Sequence, residues 1–156
     1  MKLFYSVFLI IIFNINTFSQ NKDIPCDSSL WKYVYNSKRL EVIEECVTVT
    51  GIIYSTKKGK GGDIHIQLKP DLGQKNLLND NNYIIQDSCL VIKPIRINEV
   101  NQINGMETGA DYINHITIPQ KGQHVRVTGS YVLDEKHMWR EIYPITRIQI
   151  IEPIVE

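Results

Sequence analysis

Apolar and polar residues alternate with a period of two along several short stretches of this chain, which predicts β-strands with one buried face. The clearest stretches are 46–54 (CVTVTGIIY) and 63–69 (DIHIQLK). Further strands are predicted near 89–95, within 119–133 and over 141–151. No helical period is sustained over three turns, so we expect a mainly β fold with five strands.

The segments between the predicted strands are rich in turn-forming residues. Residues 57–62 read KKGKGG and predict a turn, and 70–82 is also turn-rich, with one helical turn expected around 74–78. The polar segment 96–120 has no clear period and predicts a long loop. Pro144 has no backbone N–H, so the last strand should contain a bulge or lie at an edge there.

The N-terminal residues predict a secretory signal peptide. Lys2 precedes an apolar core of 11 residues, LFYSVFLIIIF, and the small residues Thr17 and Ser19 lie two apart, as signal peptidase requires. Such a core spans only about 16 Å as a helix, against about 30 Å of hydrocarbon, so a membrane anchor is disfavoured. We expect cleavage after Ser19 and export to the periplasm or the medium, with no membrane span in the mature chain.

Export changes the expected chemistry of the three cysteines, because disulfides form in oxidising compartments. In the first predicted strand Cys46 points away from the face that carries Val47 and Val49, toward a segment that crosses the outside. We therefore expect a disulfide between Cys26 and Cys46 that fastens the N-terminal segment to this strand. Cys89 is then left either as a buried apolar residue or as a thiol available to a partner.

Two predicted strands carry a glycine after a V-x-V-T run, which indicates sharp coiling where a small barrel closes. They are VTVTG (47–51) and VRVTG (125–129). Five strands with a glycine-rich first hairpin and a long third connection resemble an OB-fold, a five-stranded Greek-key barrel. The expected domains are a signal peptide (1–19), an N-terminal extension packed outside (20–45) and an OB-like barrel (46–156).

Three motifs resemble a group of exported bacterial domains of unknown function. They are GDIHIQL (62–68), P-x-x-G-x-x-V-x-V-T-G (119–129) and D-x-x-H-x-W-x-E-I-x-P (134–144). In that group the last motif usually reads His-Gly-Trp followed by Glu-Ile-His-Pro. This chain has Met138 in place of the glycine and Tyr143 in place of the second histidine. The resemblance implies an exported OB-like fold and no particular chemistry.

Candidate ligand groups fall near one end of the expected barrel, because the first and fourth hairpins of an OB-fold flank the same face. Asp63 and His65 begin the second strand, and His137 and Glu141 belong to the last hairpin and strand. With Asp134 they offer imidazole and carboxylate ligands for a divalent cation. The alternative is that the histidines form ordinary surface hydrogen bonds and that Asp134 caps its turn.

Trp139 is the aromatic residue of this candidate site. Its indole either plugs the barrel end or serves as a stacking platform for a base or a sugar ring. Lys57, Lys58 and Lys60 in the facing loop would then contact phosphates, or else they only keep a mobile turn soluble.

The charge balance limits the expected ligands. The chain has 17 Lys and Arg against 17 Asp and Glu, and three loop lysines give a salt-dependence slope of only about −2 for single-stranded nucleic acid. Tight DNA or RNA binding is therefore not expected.

No nucleotide-binding loop, serine hydrolase or zinc protease motif occurs. We expect a noncatalytic binding or interaction module for a protein, glycan or small polar ligand, without a cofactor. The alternative is a metal-dependent enzyme or metal-binding site at the residues above.

Overall fold

The computed structural model describes residues 25–59, 63–95 and 116–151, so the predicted signal peptide, Lys60 and most of the predicted loop 96–120 lie outside the described residues. Within these ranges the chain forms five β-strands and short helices, which confirms the predicted mainly β fold. The strands are β1 (Leu40–Lys58), β2 (Ile64–Pro70), β3 (Leu90–Ile92), β4 (His124–Asp134) and β5 (Trp139–Ile150). One α-helix, α1 (Asp80–Ile85), accompanies 3-10 helices at Ser28–Tyr33, Ser37–Arg39 and Lys75–Leu77.

The five strands form a mixed sheet that closes into a ring in the order β1-β2-β3-β5-β4. Neighbouring strands are antiparallel except β3 and β5, which are parallel. The long strand β1 pairs with β4 over most of its length and with β2 over its C-terminal part. The two pairings overlap at Gly51 and Ile52: Gly51 pairs with Pro70 and Val125, and Ile52 pairs with Lys69 and His124.

Close backbone approach explains the two glycines that follow V-x-V-T. A Cβ on Gly129 would lie 2.5 Å from the Pro144 carbonyl oxygen and 2.9 Å from Ile145 Cα, and a Cβ on Gly51 would collide with a carbonyl of β2. The pairing of β4 with β5 shifts register between Gly129 and Tyr131, opposite the segment that contains Pro144. The predicted bulge at Pro144 is therefore confirmed.

The apolar side chains form two clusters. The larger fills the inside of the ring with residues from all five strands, and the predicted inward positions of β1, β2 and β4 belong to it: Val49, Ile66, Leu68, Val125, Val127 and Tyr131. The smaller cluster joins the segment before β1 to the sheet through Leu30, Val34, Ile95, Val132 and Tyr143.

The first strand begins earlier than expected. Alternation predicts a start at Cys46, with 20–45 as an extension, whereas β1 begins at Leu40 and pairs with β4 from there. Residues 41–45 are exposed on both faces, so they carry no apolar alternation and only their pairing with β4 makes them a strand. The helical turn expected at 74–78 is observed as the 3-10 helix Lys75–Leu77, but α1 was not predicted.

The predicted disulfide between Cys26 and Cys46 is present, with the two Cα atoms 5.4 Å apart. It fastens the described N-terminal segment to β1. Cys89 has a free, fully buried thiol. Burial raises the pKa of this thiol to about 11, so Cys89 packs as a small apolar residue and not as a nucleophile.

Removing the disulfide should lower the free energy of unfolding by about 3 kcal/mol, because the bridge constrains a loop of about 20 residues in the unfolded chain. The variant is Cys26→Ala/Cys46→Ala, measured by urea unfolding. Reductant added to the unchanged protein should give a similar loss and serves as the control. A loss below about 1 kcal/mol would show that the N-terminal segment is held by the apolar cluster alone.

Candidate functional site

The candidate site occupies the outside of the ring across β2, β3 and β5. Gln67 pairs with Val91, and Val91 pairs with Glu141, so the three side chains form one row on the same side of the sheet. Their strand neighbours Ile66 and Ile142 point into the core. We call this surface the outer face, and its residues are His65, Gln67, Val91, Lys93, Trp139, Glu141 and Tyr143.

A buried ion pair lies at the centre of the outer face. Lys93 Nζ is 2.7 Å from Glu141 Oε1, and neither side chain is more than 6% exposed. Burial raises the pKa of the Glu141 carboxyl above its ordinary value, although the Lys93 ammonium opposes the shift. The same ammonium lies 4.8 Å from the centre of the Tyr143 ring, whose phenol pKa is raised to about 12 by burial.

Asp134 organises the hairpin between β4 and β5. Its Oδ1 accepts hydrogen bonds from the backbone N–H groups of Lys136 and His137, at 3.1 and 3.3 Å. Its Oδ2 lies 3.0 Å from the Arg39 guanidinium and 2.9 Å from His137 Nδ1. Burial alone would raise the pKa of Asp134, but the hydrogen bond from His137 and the charge of Arg39 lower it below the ordinary value. Asp134 therefore caps its turn as an ionised carboxylate.

The hairpin also positions the tryptophan. The rings of His137 and Trp139 stack with centroids 4.4 Å apart and planes 7° from parallel. Trp139 Nε1 donates a hydrogen bond to Glu141 Oε2 at 3.2 Å. The expectation that His137, Trp139 and Glu141 share one side is confirmed by these contacts. One face of the indole is covered by the imidazole.

Three asparagines around the start of α1 hold the hairpin in place. The side-chain amides of Asn79 and Asn81 donate to the backbone carbonyls of Met138 and His137, at 3.0 and 3.2 Å. The fully buried Asn82 donates to the Arg140 carbonyl and accepts from the Arg140 N–H, each at 2.9 Å. The hairpin that carries His137 is therefore fixed by α1 on one side and by Asp134 on the other.

A cleft of about 320 Å³ opens between the end of β1 and the part of the outer face that β2 and β3 form. Its lining residues are Lys57, Lys58, Gly59, His65, Gln67, Gln86 and Val91. The Gln67 amide donates to Gln86 Oε1 at 3.0 Å and accepts a hydrogen bond from the Ser55 hydroxyl. The pKa of the half-buried His65 is lowered by burial first and by the Lys93 charge second.

The structure does not gather the residues of the alternative metal site. Among the described residues, which include Asp63, His65, His137 and Glu141, no three His, Cys, Asp or Glu side chains are placed to hold a metal ion. Glu141 instead binds Lys93 and Trp139, and the imidazole of His137 binds Asp134. The carboxylates of this region thus have partners within the protein.

Sequence reasoning missed two cations of the site, Lys93 and Arg39. Lys93 interrupts the apolar run LVIKP after β3, and a lysine in such a run signals a buried partner of opposite charge. Arg39 gave no comparable signal, because it lies in a polar stretch and reaches Asp134 only through the pairing of β1 with β4.

A scan with protein-family models finds no match for this chain, and a search of curated proteins finds no similar sequence. No helix among the described residues is long and apolar enough to cross a membrane. Function is therefore argued from the geometry and chemistry of the outer face.

Proposed function

We propose that this chain is an exported, noncatalytic binding module with an OB-like Greek-key barrel, which binds its ligand on the outer face. The strand order β1-β2-β3-β5-β4 and the parallel pairing of β3 with β5 support the OB-like topology. The helix α1 lies between β2 and β3 in the chain, and the strand order does not depend on it. The disulfide and the predicted signal peptide support export to the periplasm or the medium.

The cleft between the end of β1 and the outer face carries the assignment of the binding face. OB-folds bind ligands across strands β2 and β3, between the loop that joins β1 to β2 and the loop that joins β4 to β5. The cleft borders the first of these loops through Lys58 and Gly59, and its floor comes from β2 and β3 through His65 and Val91.

The pairing of the charged groups favours binding over catalysis. Proton transfer needs an acid or base that can reach a substrate with a suitable pKa. Here Glu141 is fully buried against Lys93, and Asp134 is buried against Arg39 and His137. These groups fix the shape of the face. We propose a protein, glycan or small polar ligand, and no tight binding of nucleic acid.

Amide chemical shifts of the ¹⁵N-labelled mature protein provide the test. Titration with a panel of oligosaccharides, peptides and small polar compounds should shift the amides of His65, Gln67 and Val91. A second groove, whose lining includes Thr48 and Gln74 and shares no residue with the cleft, is the internal control and should not respond. Ligands that perturb only Thr48 and Gln74 would contradict the assignment of the outer face.

A further inference from the structure

The lining of the cleft is positively charged, although the chain as a whole has no net charge. The described residues that line it include two lysines and a histidine, with no aspartate or glutamate among them. Lys57 pairs directly with His65 across β1 and β2, so their side chains lie on the same side of the sheet. On the other side of His65, Lys93 follows Ile92, the partner of Ile66 in the pairing of β2 with β3.

Lys57 and a protonated His65 repel each other, because like charges directly opposite each other on neighbouring strands are destabilising. Lys93 is neutralised by Glu141, at 2.7 Å. Lys57 and Lys58 are exposed at the mouth of the cleft. An anion in the cleft would offset the repulsion between Lys57 and a protonated His65.

The rest of the cleft is suited to the uncharged part of a small molecule. Gln67 is only 4% exposed and is held by Gln86 and Ser55, so its amide is a fixed part of the wall. Val91 adds an apolar surface. A volume of about 320 Å³ is at the lower end of the range for small-molecule sites, which start at about 300 Å³.

We propose that the cleft binds a small organic anion of about the size of one sugar, with its phosphate or carboxylate group held by Lys57, Lys58 and His65. This inference rests on the proposed function, since it names the ligand class of the same face. The lysines supply charge-assisted hydrogen bonds to the oxyanion, and the imidazole supplies a further donor when it is protonated.

The protonation of His65 couples binding to pH. The charged and titratable groups around it are Lys57 opposite it on β1, Asp63 just before its own strand, Lys93 after β3, His137 in the last hairpin and Arg39 before β1. Burial first, and the charge of Lys93 second, lower the pKa of His65 in the free protein, whereas Asp63 opposes them, and a bound anion would raise this pKa further. Binding then takes up a proton, so affinity should increase as the pH falls from about 7 to about 5.

Calorimetric titration of the mature protein tests the ligand class with three probes: glucose 6-phosphate, glucuronate and glucose. We expect one or both anions to bind and glucose to bind at least about tenfold more weakly. Whichever anion binds more tightly identifies the preferred oxyanion. The variant Lys57→Gln/Lys58→Gln should lower the affinity for that anion about tenfold, whereas the exposed Lys75→Gln should not change it.

The pH dependence is measured with glucuronate. If glucose 6-phosphate binds and glucuronate does not, glucose 6-sulfate is used instead, because glucuronate and the sulfate ester both stay fully ionised between about pH 5 and 7. Affinity should increase at the lower pH, and His65→Gln should abolish that increase. The inference is overturned if neither sugar anion binds at millimolar concentration, if glucose binds equally well, or if the lysine variant binds normally. If a neutral compound shifts the His65 and Val91 amides and no sugar anion binds, the proposed binding face is supported and the inferred anionic ligand is refuted.

Discussion

Replacing Lys93 by methionine should lower the free energy of unfolding by about 4 kcal/mol, as measured by urea unfolding at neutral pH. The substitution removes the ammonium but keeps an apolar chain of similar length. The carboxylate of Glu141, whose side chain is fully buried, then loses its charged partner. An unpaired buried charge costs several kcal/mol, which is why breaking such a pair is more damaging than removing both members.

The double variant Lys93→Met/Glu141→Leu is the matched comparison, because it removes both charges and keeps the volume filled. We expect it to be more stable than Lys93→Met alone, and Lys75→Met at an exposed lysine should have little effect. Equal losses in the single and double variants would show that the ammonium is important for packing and not for charge.

The stability of Lys93→Met should also depend on pH. Burial already raises the pKa of Glu141 in the folded protein above its ordinary value, and loss of the ammonium raises it further. At pH values between the pKa of Glu141 in the unfolded chain and its higher pKa in the folded chain, the folded state binds more protons. The free energy of unfolding therefore falls as the pH rises. The variant should therefore be less damaged near pH 5 than near pH 7, as measured by unfolding at both values.

Replacing Asn82 by alanine is expected to cost about 4 kcal/mol. The fully buried amide donates to the carbonyls of Cys89 and Arg140, at 2.9 Å each, and accepts from the N–H groups of Arg140 and Asn79. Alanine would leave these four backbone groups without this partner, and each unsatisfied buried group costs about 1–3 kcal/mol.

Asn81→Ala is the control for this substitution, since its side chain makes one hydrogen bond, to the carbonyl of His137. A loss of about 1 kcal/mol is expected there. Fluorescence of Trp139 in a Trp31→Phe background should report a loosened hairpin in Asn82→Ala but not in Asn81→Ala. If the two variants lose equal stability, α1 does not fix the hairpin in the way described.

The period-two pattern correctly located β2, β4 and β5 because the pattern arises from burial of one strand face, which is a local property. It failed at the N-terminal part of β1, where residues 41–45 are exposed on both faces. It also failed for α1, because six residues rich in asparagine carry no helical stripe, and side-chain contacts with β5 and a capping box at Asn79 hold the helix.

The relative placement of three candidate residues was predicted. The sequence brought His137, Trp139 and Glu141 to one side through alternation, and the stacking and hydrogen bond confirm it. The metal hypothesis needed Glu141 and the histidines to turn toward a common point. The actual partners are Lys93 for Glu141 and Asp134 for His137.

By itself the sequence determined which residues form most strands, which faces are buried, and that Cys26 and Cys46 pair across the outside of β1. These features follow from alternation and from residue types close together in the chain. Only the tertiary structure decided that Lys93 meets Glu141 and that Lys57 lies opposite His65. The first contact depends on the parallel pairing of β3 with β5 and the second on the register of β1 and β2. Both registers are chosen by closing the whole ring around one core.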